Sequence, residues 1–298
     1  MSSLSIQSEA YDPSVYWAAP ARNFKSSSRL HLQHQLWRNT THFLLEPQIR
    51  TFIQQEKQLK IADLGCGNGV WLTDLSHELF NTDISVQLYG YDINDVNFPP
   101  QAFLPGPVQL SKLNILSKKL PDEVLNAFDV VHVRAFSSII LNNDTSTLLS
   151  AVLSLLKPGG WLQWEEMGPD FIVEPASPGL SKVSCETLAR LVKAGEDIQG
   201  MKLDFIGEFG RHLGDAGFQQ IRVREDAKRK QDYKGWTENF LMIWEDAAFF
   251  YPSETDNNQA SITKEFWAQL FAKAVQETEQ GVALHRRSVV TVVGRKPL

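Results

Sequence analysis

Asp63, Gly65, Cys66, Gly67 and Gly69 share one run, Ile61-Ala62-Asp63-Leu64-Gly65-Cys66-Gly67-Asn68-Gly69, between an apolar stretch and Val70-Trp71-Leu72. A strand that ends in Gly-x-Gly-x-Gly and opens a helix lets a ligand approach the backbone closely, because no Cβ stands in the way. The competing pattern is the dinucleotide fingerprint G-x-G-x-x-G. Here the third glycine comes one residue early and position 70 is valine. Asp63 would repel a pyrophosphate but favour an ammonium group. Asp92 follows Tyr89-Gly90-Tyr91, where a carboxylate at a strand end can accept both hydroxyls of a ribose. Its other reading is a helix cap beside Asn94 and Asp95. Asn114-Ile115 suits an adenine, the amide on its edge and the isoleucine on its face, although Asn is also a common turn residue. Three such positions after three successive strands form one nucleoside crevice.

Other side chains could act on a second molecule. His132 and Arg134 lie at the end of Phe128-Asp129-Val130-Val131-His132-Val133-Arg134, on the same face of a strand by alternation. His132 is the candidate catalytic base, or else a packed histidine. Arg134 is a substrate anchor or a structural ion-pair partner. Glu165 and Glu166 stand at the mouth of the next strand, as a base or as partners of Arg29 or Arg38. His31 and His34 are expected in a surface or cap segment. Trp236, Phe240 and Trp244 recur at the spacing of one helical face, which makes either core or a lid over an apolar acceptor.

The elements that must position these residues alternate between apolar runs and helical patterns from Leu59 to Met167, as in parallel β/α units. Strands are expected at 60–64, 86–91, 108–113, 128–133 and 161–165, with helices at 70–79 and 145–156. Lys157-Pro158-Gly159-Gly160 ends the second helix. Ile221–Arg224 and Val289–Val293 read as an antiparallel pair closing one edge of the sheet. The expected division is an N-terminal helical cap over 1–58 and a catalytic domain over 59–298, with helical insertions at 169–213 and 232–285. Asn257 to Ser261 reads as an exposed loop.

Composition bounds the partners. Across 298 residues, 29 basic and 35 acidic side chains leave a net charge of −6, which argues against nucleic-acid binding. Two cysteines, Cys66 and Cys185, make neither a disulfide framework nor a metal-ligand spacing, so no metal is expected. No stretch has the roughly 18 apolar residues of a membrane span, and no secretory signal is visible. A cytoplasmic protein with a small-molecule substrate is the expectation, with nuclear placement and oligomeric state left open.

In order, IADLGCGNG, YGYDI, FDVVHVR and LKPGGWLQW resemble the class I S-adenosylmethionine-dependent methyltransferases. Arg29-Leu30-x-Leu32-Gln33-His34, Gly69-Val70-Trp71 and Pro99-Pro100 beyond Asp92 are similar to fungal LaeA-like methyltransferases, in which the N-terminal segment lies over the cofactor. The resemblance implies an α/β, Rossmann-like, seven-stranded, mostly parallel sheet with an antiparallel last strand. It implies S-adenosyl-L-methionine as cofactor, with Asp63 and the Gly65-Cys66-Gly67 loop at its methionine part, Asp92 at the ribose, Asn114 and Ile115 at the adenine, and Ile93 among the cofactor-binding residues. The family often has Asp at the position of Asn114. The backbone around Val133 would meet the methionine ammonium. The expected activity is methylation of a small, fairly apolar metabolite in fungal specialised metabolism. A LaeA-like regulator and a non-methylating cyclase on the same fold are the alternatives.

Overall fold

A computed structural model describes residues 24–80, 82–254 and 262–298. The expected loop at Asn257 to Ser261 and the first part of the N-terminal segment lie outside the described residues. Two helices, α1 (Phe24–Thr41) and α2 (Pro47–Ile53), precede the sheet. The parallel units follow as β1 (Gln58–Leu64), α3 (Val70–Leu79), β2 (Ser85–Asp92), β3 (Val108–Lys112), β4 (Phe128–Arg134), α4 (Ser146–Leu155) and β5 (Leu156–Met167). Then come β6 (Phe171–Pro175), α5 (Val183–Ile198), α6 (Asp204–Gly207), α7 (Phe209–Asp215) and β7 (Gln219–Ala227). The chain continues through α8 (Tyr233–Trp244), α9 (Lys264–Glu279), β8 (Val282–Arg286) and β9 (Ser288–Arg295).

Seven strands lie in the order β3-β2-β1-β4-β5-β9-β7. The first five run parallel, and β9 runs antiparallel to both β5 and β7. This is the expected Rossmann-like sheet with its antiparallel last strand. Both faces are covered, so the central strands carry unbroken apolar runs. Ile61, Val130 and Trp161 pack under α2 and α3, while Leu64, Val131, Val133 and Trp164 pack on the opposite side with α4 and α7. Strand alternation therefore divides each site residue between the two faces. Asp63, His132 and Glu165 share the α3 face, and Glu166 shares the face of Trp164.

The insertions differ from the sequence expectation. The stretch 169–213 opens with a strand: β6 pairs antiparallel with β8, and the two make a separate ribbon. Each strand is only five residues long, and its partner comes from the other end of the domain, so local periodicity is silent on it. Phe205, Phe209 and Leu213, at the end of that stretch, belong to the core of the large sheet. Helices α5, α8 and α9 build a core of their own around Leu188, Phe240, Trp267 and Leu284. The sheet thus carries a roof with an independent apolar interior. Among the described residues, no helix is long and apolar enough to cross a membrane.

Candidate active site

The glycine loop joins β1 to α3 with three left-handed residues, Gly65, Gly67 and Gly69, at φ values of 66°, 59° and 73°. A Cβ on Gly65 would stand 2.1 Å from the Phe136 ring, and one on Gly67 would stand 2.8 Å from Leu30. Gly65 N and Cys66 N both donate to the Tyr91 carbonyl, at 2.7 and 3.1 Å, which ties the loop to the end of β2. There Asp92 accepts from Gly67 N at 3.0 Å and from Asn94 N at 3.1 Å. Its carboxylate is held by backbone donors at the mouth of the sheet, 7% exposed. Asn114 turns its Oδ1 to Leu116 N at 3.0 Å, which leaves its amide NH2 directed elsewhere.

These residues line one cavity of about 520 Å3. Asp63, Gly65, Cys66 and Gly67 meet Asp92, Ile93, Asn114 and Ile115 there. Val133 does not reach it. Its side chain is fully buried in the sheet, and Arg134, Ala135 and Phe136 form that wall instead. The chain turns sharply at Ala135, where φ is 56°, and so lifts the next residues over the strand ends.

Helix α1 closes the crevice from above. Leu30 packs against Gly67, and Asn68 Nδ2 donates to the Ser27 carbonyl at 3.2 Å. Asn239 Nδ2 of α8 donates to the Arg29 carbonyl at 3.3 Å, joining this cap to the roof. Trp236 is consumed by that joint: it is 1% exposed, packed edge-on to Trp37 at 5.9 Å, and away from the cavity. Phe240 and Trp244, further along the same stripe, do line the cavity. Trp236 is thus corrected from an acceptor contact to a cap contact.

His132 also moves away from catalysis. Its ring is wholly buried beneath Trp71, stacked at 3.8 Å with an interplanar angle of 4°. Nδ1 lies 2.7 Å from Asp63 Oδ1 and Nε2 lies 3.4 Å from Glu165 Oε2. Burial opposes charge on the ring, but Asp63 and Glu165 outweigh it and raise the pKa above the ordinary histidine value. The ring bridges the two carboxylates and fixes the Asp63 side chain. Both ring nitrogens are taken by carboxylates and the ring does not line the cavity, so His132 is a positioning residue. Glu165 pairs with this ring and with Gln163, rather than with Arg29 or Arg38.

Arg134 extends the layer toward the cap. Its guanidinium donates to His34 Nδ1 at 3.3 Å and lies 5.4 Å from the Trp37 ring. Burial and the nearby Arg134 pull the His34 pKa down to about 4. A neutral His34 accepts from Arg134 and donates Nε2–H to Asp74 at 2.9 Å. His31 is exposed on the other side of α1.

Residues 29–221 match the family described as "Methyltransferase domain". The chain belongs to that family. The methyl donor of the family is S-adenosylmethionine, and this enzyme is a methyltransferase that uses it. "Methyltransferase grgD" of Penicillium sp is 29% identical over 208 residues, which are 68% of this chain and 69% of that one. "N-methyltransferase tcpN" of Claviceps purpurea is 30% identical over 153 residues, 50% of this chain and 51% of the relative. "Secondary metabolism regulator laeA" of Aspergillus niger is 25% identical over 166 residues, 54% of this chain and 40% of that protein. The LaeA-like resemblance is thereby shown at low identity.

The methyltransferase has site residues that lie outside its sequence motifs. Glu196 of α5, Arg286 of β8, and Ser137 and Ser138 after β4 line the same cavity as the glycine loop. Glu196 and Arg286 form a buried ion pair from distant parts of the chain. No local pattern announces it. Glu166 is the most perturbed acid among them. Burial pushes its pKa from 4.5 up to about 7, against the hydrogen bonds from Trp164, Phe136 and Ser137. A carboxyl that holds its proton more tightly when folded lowers stability as pH rises from about 4.5, and the loss is complete above about 7. Glu166→Gln removes that loss, worth about 3 kcal/mol at pH 8 by the pKa difference. Denaturant melts at pH 5 and pH 8 should therefore show the variant gaining on wild type at the higher pH. Equal gains at both would refute the assignment.

Proposed function

We propose that this methyltransferase methylates a small, fairly apolar metabolite in fungal specialised metabolism. The observation that carries the reading is the continuity of the cavity. The crevice at Gly65, Asp92 and Asn114 opens into a compartment walled by Met167, Met201, Leu203, Phe240, Ile243 and Trp244. About 520 Å3 falls in the range of small-molecule sites. The fungal relatives support the setting, since their names describe methyltransferases and a regulator of secondary metabolism.

The residues present fit S-adenosylmethionine. Gly65 and Gly67 keep the loop clear of side chains at positions where a Cβ would collide with its neighbours. Asp63, 4% exposed and anchored by His132, would meet the methionine ammonium. Asp92, with Ile93 beside it, would receive the ribose hydroxyls. Asn114 would bond the adenine edge while Ile115 packs on the ring. Bound there, the cofactor supplies an electrophilic methyl group. Alignment of the acceptor atom, about 3 to 3.5 Å from its target, is then the main task of the protein. Cap helix α1 and the roof wall the cavity on the sides away from the sheet.

Incubation of the protein with methyl-labelled S-adenosylmethionine and a fungal metabolite extract is the direct test. A labelled small molecule that depends on intact Asp92 is the expected product. Label found only on protein, or none in any metabolite, would overturn this reading.

A further inference from the structure

Arg134 ends β4 with a charge that the fold does not pair. Unlike His132 and Val133 before it, Arg134 is partly exposed, and it lines the cavity. Burial disfavours the guanidinium charge, and Glu165 and Asp63 offset that only in part, so its pKa lies below the ordinary arginine value. It still carries its proton at any working pH. Both of those carboxylates are engaged with His132, and no carboxylate among the described residues ion-pairs with Arg134. Its contacts are His34 Nδ1, 3.3 Å from both terminal nitrogens, and the Trp37 ring at 5.4 Å. His34 is neutral, and its one lone pair cannot satisfy a fork of five N–H donors.

The place of this cation selects its partner. Asp63 of β1 stands opposite His132 in the parallel register, and Arg134 lies two residues further along the same face of β4. An acid and a guanidinium thus follow each other about 7 Å apart along the strand direction, on the wall of one cavity. Asp63 has Oδ1 held by His132, so its second oxygen is the one left for a ligand. A ligand with an ammonium and a carboxylate on one carbon matches both residues. A phosphate would meet like charge at Asp63. A neutral ligand would leave the open guanidinium donors without an anion. The planar fork donates to a carboxylate at two points, which a single histidine nitrogen cannot receive.

We infer that Arg134 binds the α-carboxylate of the methionine part of S-adenosylmethionine, held in place for it by His34 of the cap helix. This rests on the methyl-transfer reading above. It assigns the one charged group of the cofactor that the glycine loop, Asp63, Asp92 and Asn114 leave without a partner. It also joins the cap to the cofactor by charge, since α1 reaches the guanidinium through His34 and anchors that histidine on Asp74 of α3. An anionic acceptor is the competing occupant, and an arginine that held one would be indifferent to the cofactor carboxylate.

The test is a binding cycle that needs no turnover. S-adenosylhomocysteine and its decarboxylated analogue, which keeps the adenosine, the thioether and the amine, are titrated calorimetrically at neutral pH into wild type, Arg134→Met and Arg134→Gln. Wild type should bind the carboxylate form at least about tenfold tighter than the analogue. Arg134→Met should bring that preference within about threefold, through lost affinity for the carboxylate form alone. Arg134→Gln keeps an N–H for His34 and so spares the cap, and it should give the same result even where methionine loosens the fold. Equal binding of the two ligands by wild type overturns the inference in favour of an anionic acceptor. A full preference that survives either substitution overturns it too, because a merely structural arginine would weaken both ligands alike. Failure of wild type to bind either ligand is a distinct outcome, which would strike the methyl-transfer reading and this inference with it.

Discussion

Asp92→Ala should weaken S-adenosylmethionine binding by about 100-fold or more in isothermal titration. A hydrogen bond to a charged group contributes about 1.5–3 kcal/mol, so two ribose hydroxyls on one carboxylate represent about 3–6 kcal/mol of lost contact. Asp92 also holds the loop. Gly67 N and Asn94 N donate to its two oxygens, so alanine leaves two backbone donors without their partner. These two losses act in the same direction on binding but differ in their effect on the fold. The donors lie beside the cavity mouth, where water can replace the carboxylate, so melting should fall by only about 1–2 kcal/mol. Asp92→Asn is the sharper variant. It keeps the shape and one acceptor, but its NH2 faces backbone N–H groups, and an intermediate affinity is expected. Affinity for Asp92→Ala within about threefold of wild type would remove the ribose assignment.

The readability of this site in the sequence follows the distance over which each interaction is encoded. The glycine loop, Asp92 and Asn114 each follow a strand directly, so their place at the carboxyl edge comes with the β/α alternation itself. The cavity indeed gathers them. Alternation also puts His132 and Arg134 on one face, yet it cannot say what covers that face. Trp71, the second residue of α3, lands on the His132 ring, and α1 lands on Arg134. Helical spacing likewise puts Trp236, Phe240 and Trp244 in one stripe. The stripe runs from the α1 joint into the cavity, so its first member is core and its later members are wall. The Glu196–Arg286 pair and the β6–β8 ribbon depend on contacts between segments far apart in the chain. Patterns of 2.0 and 3.6 residues carry no signal for such meetings.

His132→Ala should unfold the enzyme more readily rather than change its chemistry, and the difference tests whether the ring is structural. The ring, its pKa raised by the two carboxylates, stands between Asp63 and Glu165, both nearly inaccessible to water. Removal of one member of a buried ion pair costs about 3–5 kcal/mol, because the remaining charge has no compensation. Here two carboxylates would face each other across an empty slot under Trp71, and a further cavity penalty adds to this. For a chain of this size, that corresponds to a fall in Tm of about 5–8 °C. The pH dependence has a definite sign. The pKa of His132 is raised by folding, so its contribution is complete below about 6.5 and is lost as pH climbs through the raised value. The gap between wild type and variant should therefore be widest near pH 6 and narrow on the alkaline side. Loss of the ring also frees Asp63, so S-adenosylmethionine affinity should drop together with stability. A catalytic base would behave otherwise: turnover would collapse while melting and cofactor affinity stayed at wild-type values. That result would return His132 to the reaction, and it would require Trp71 to swing off the ring when the acceptor binds.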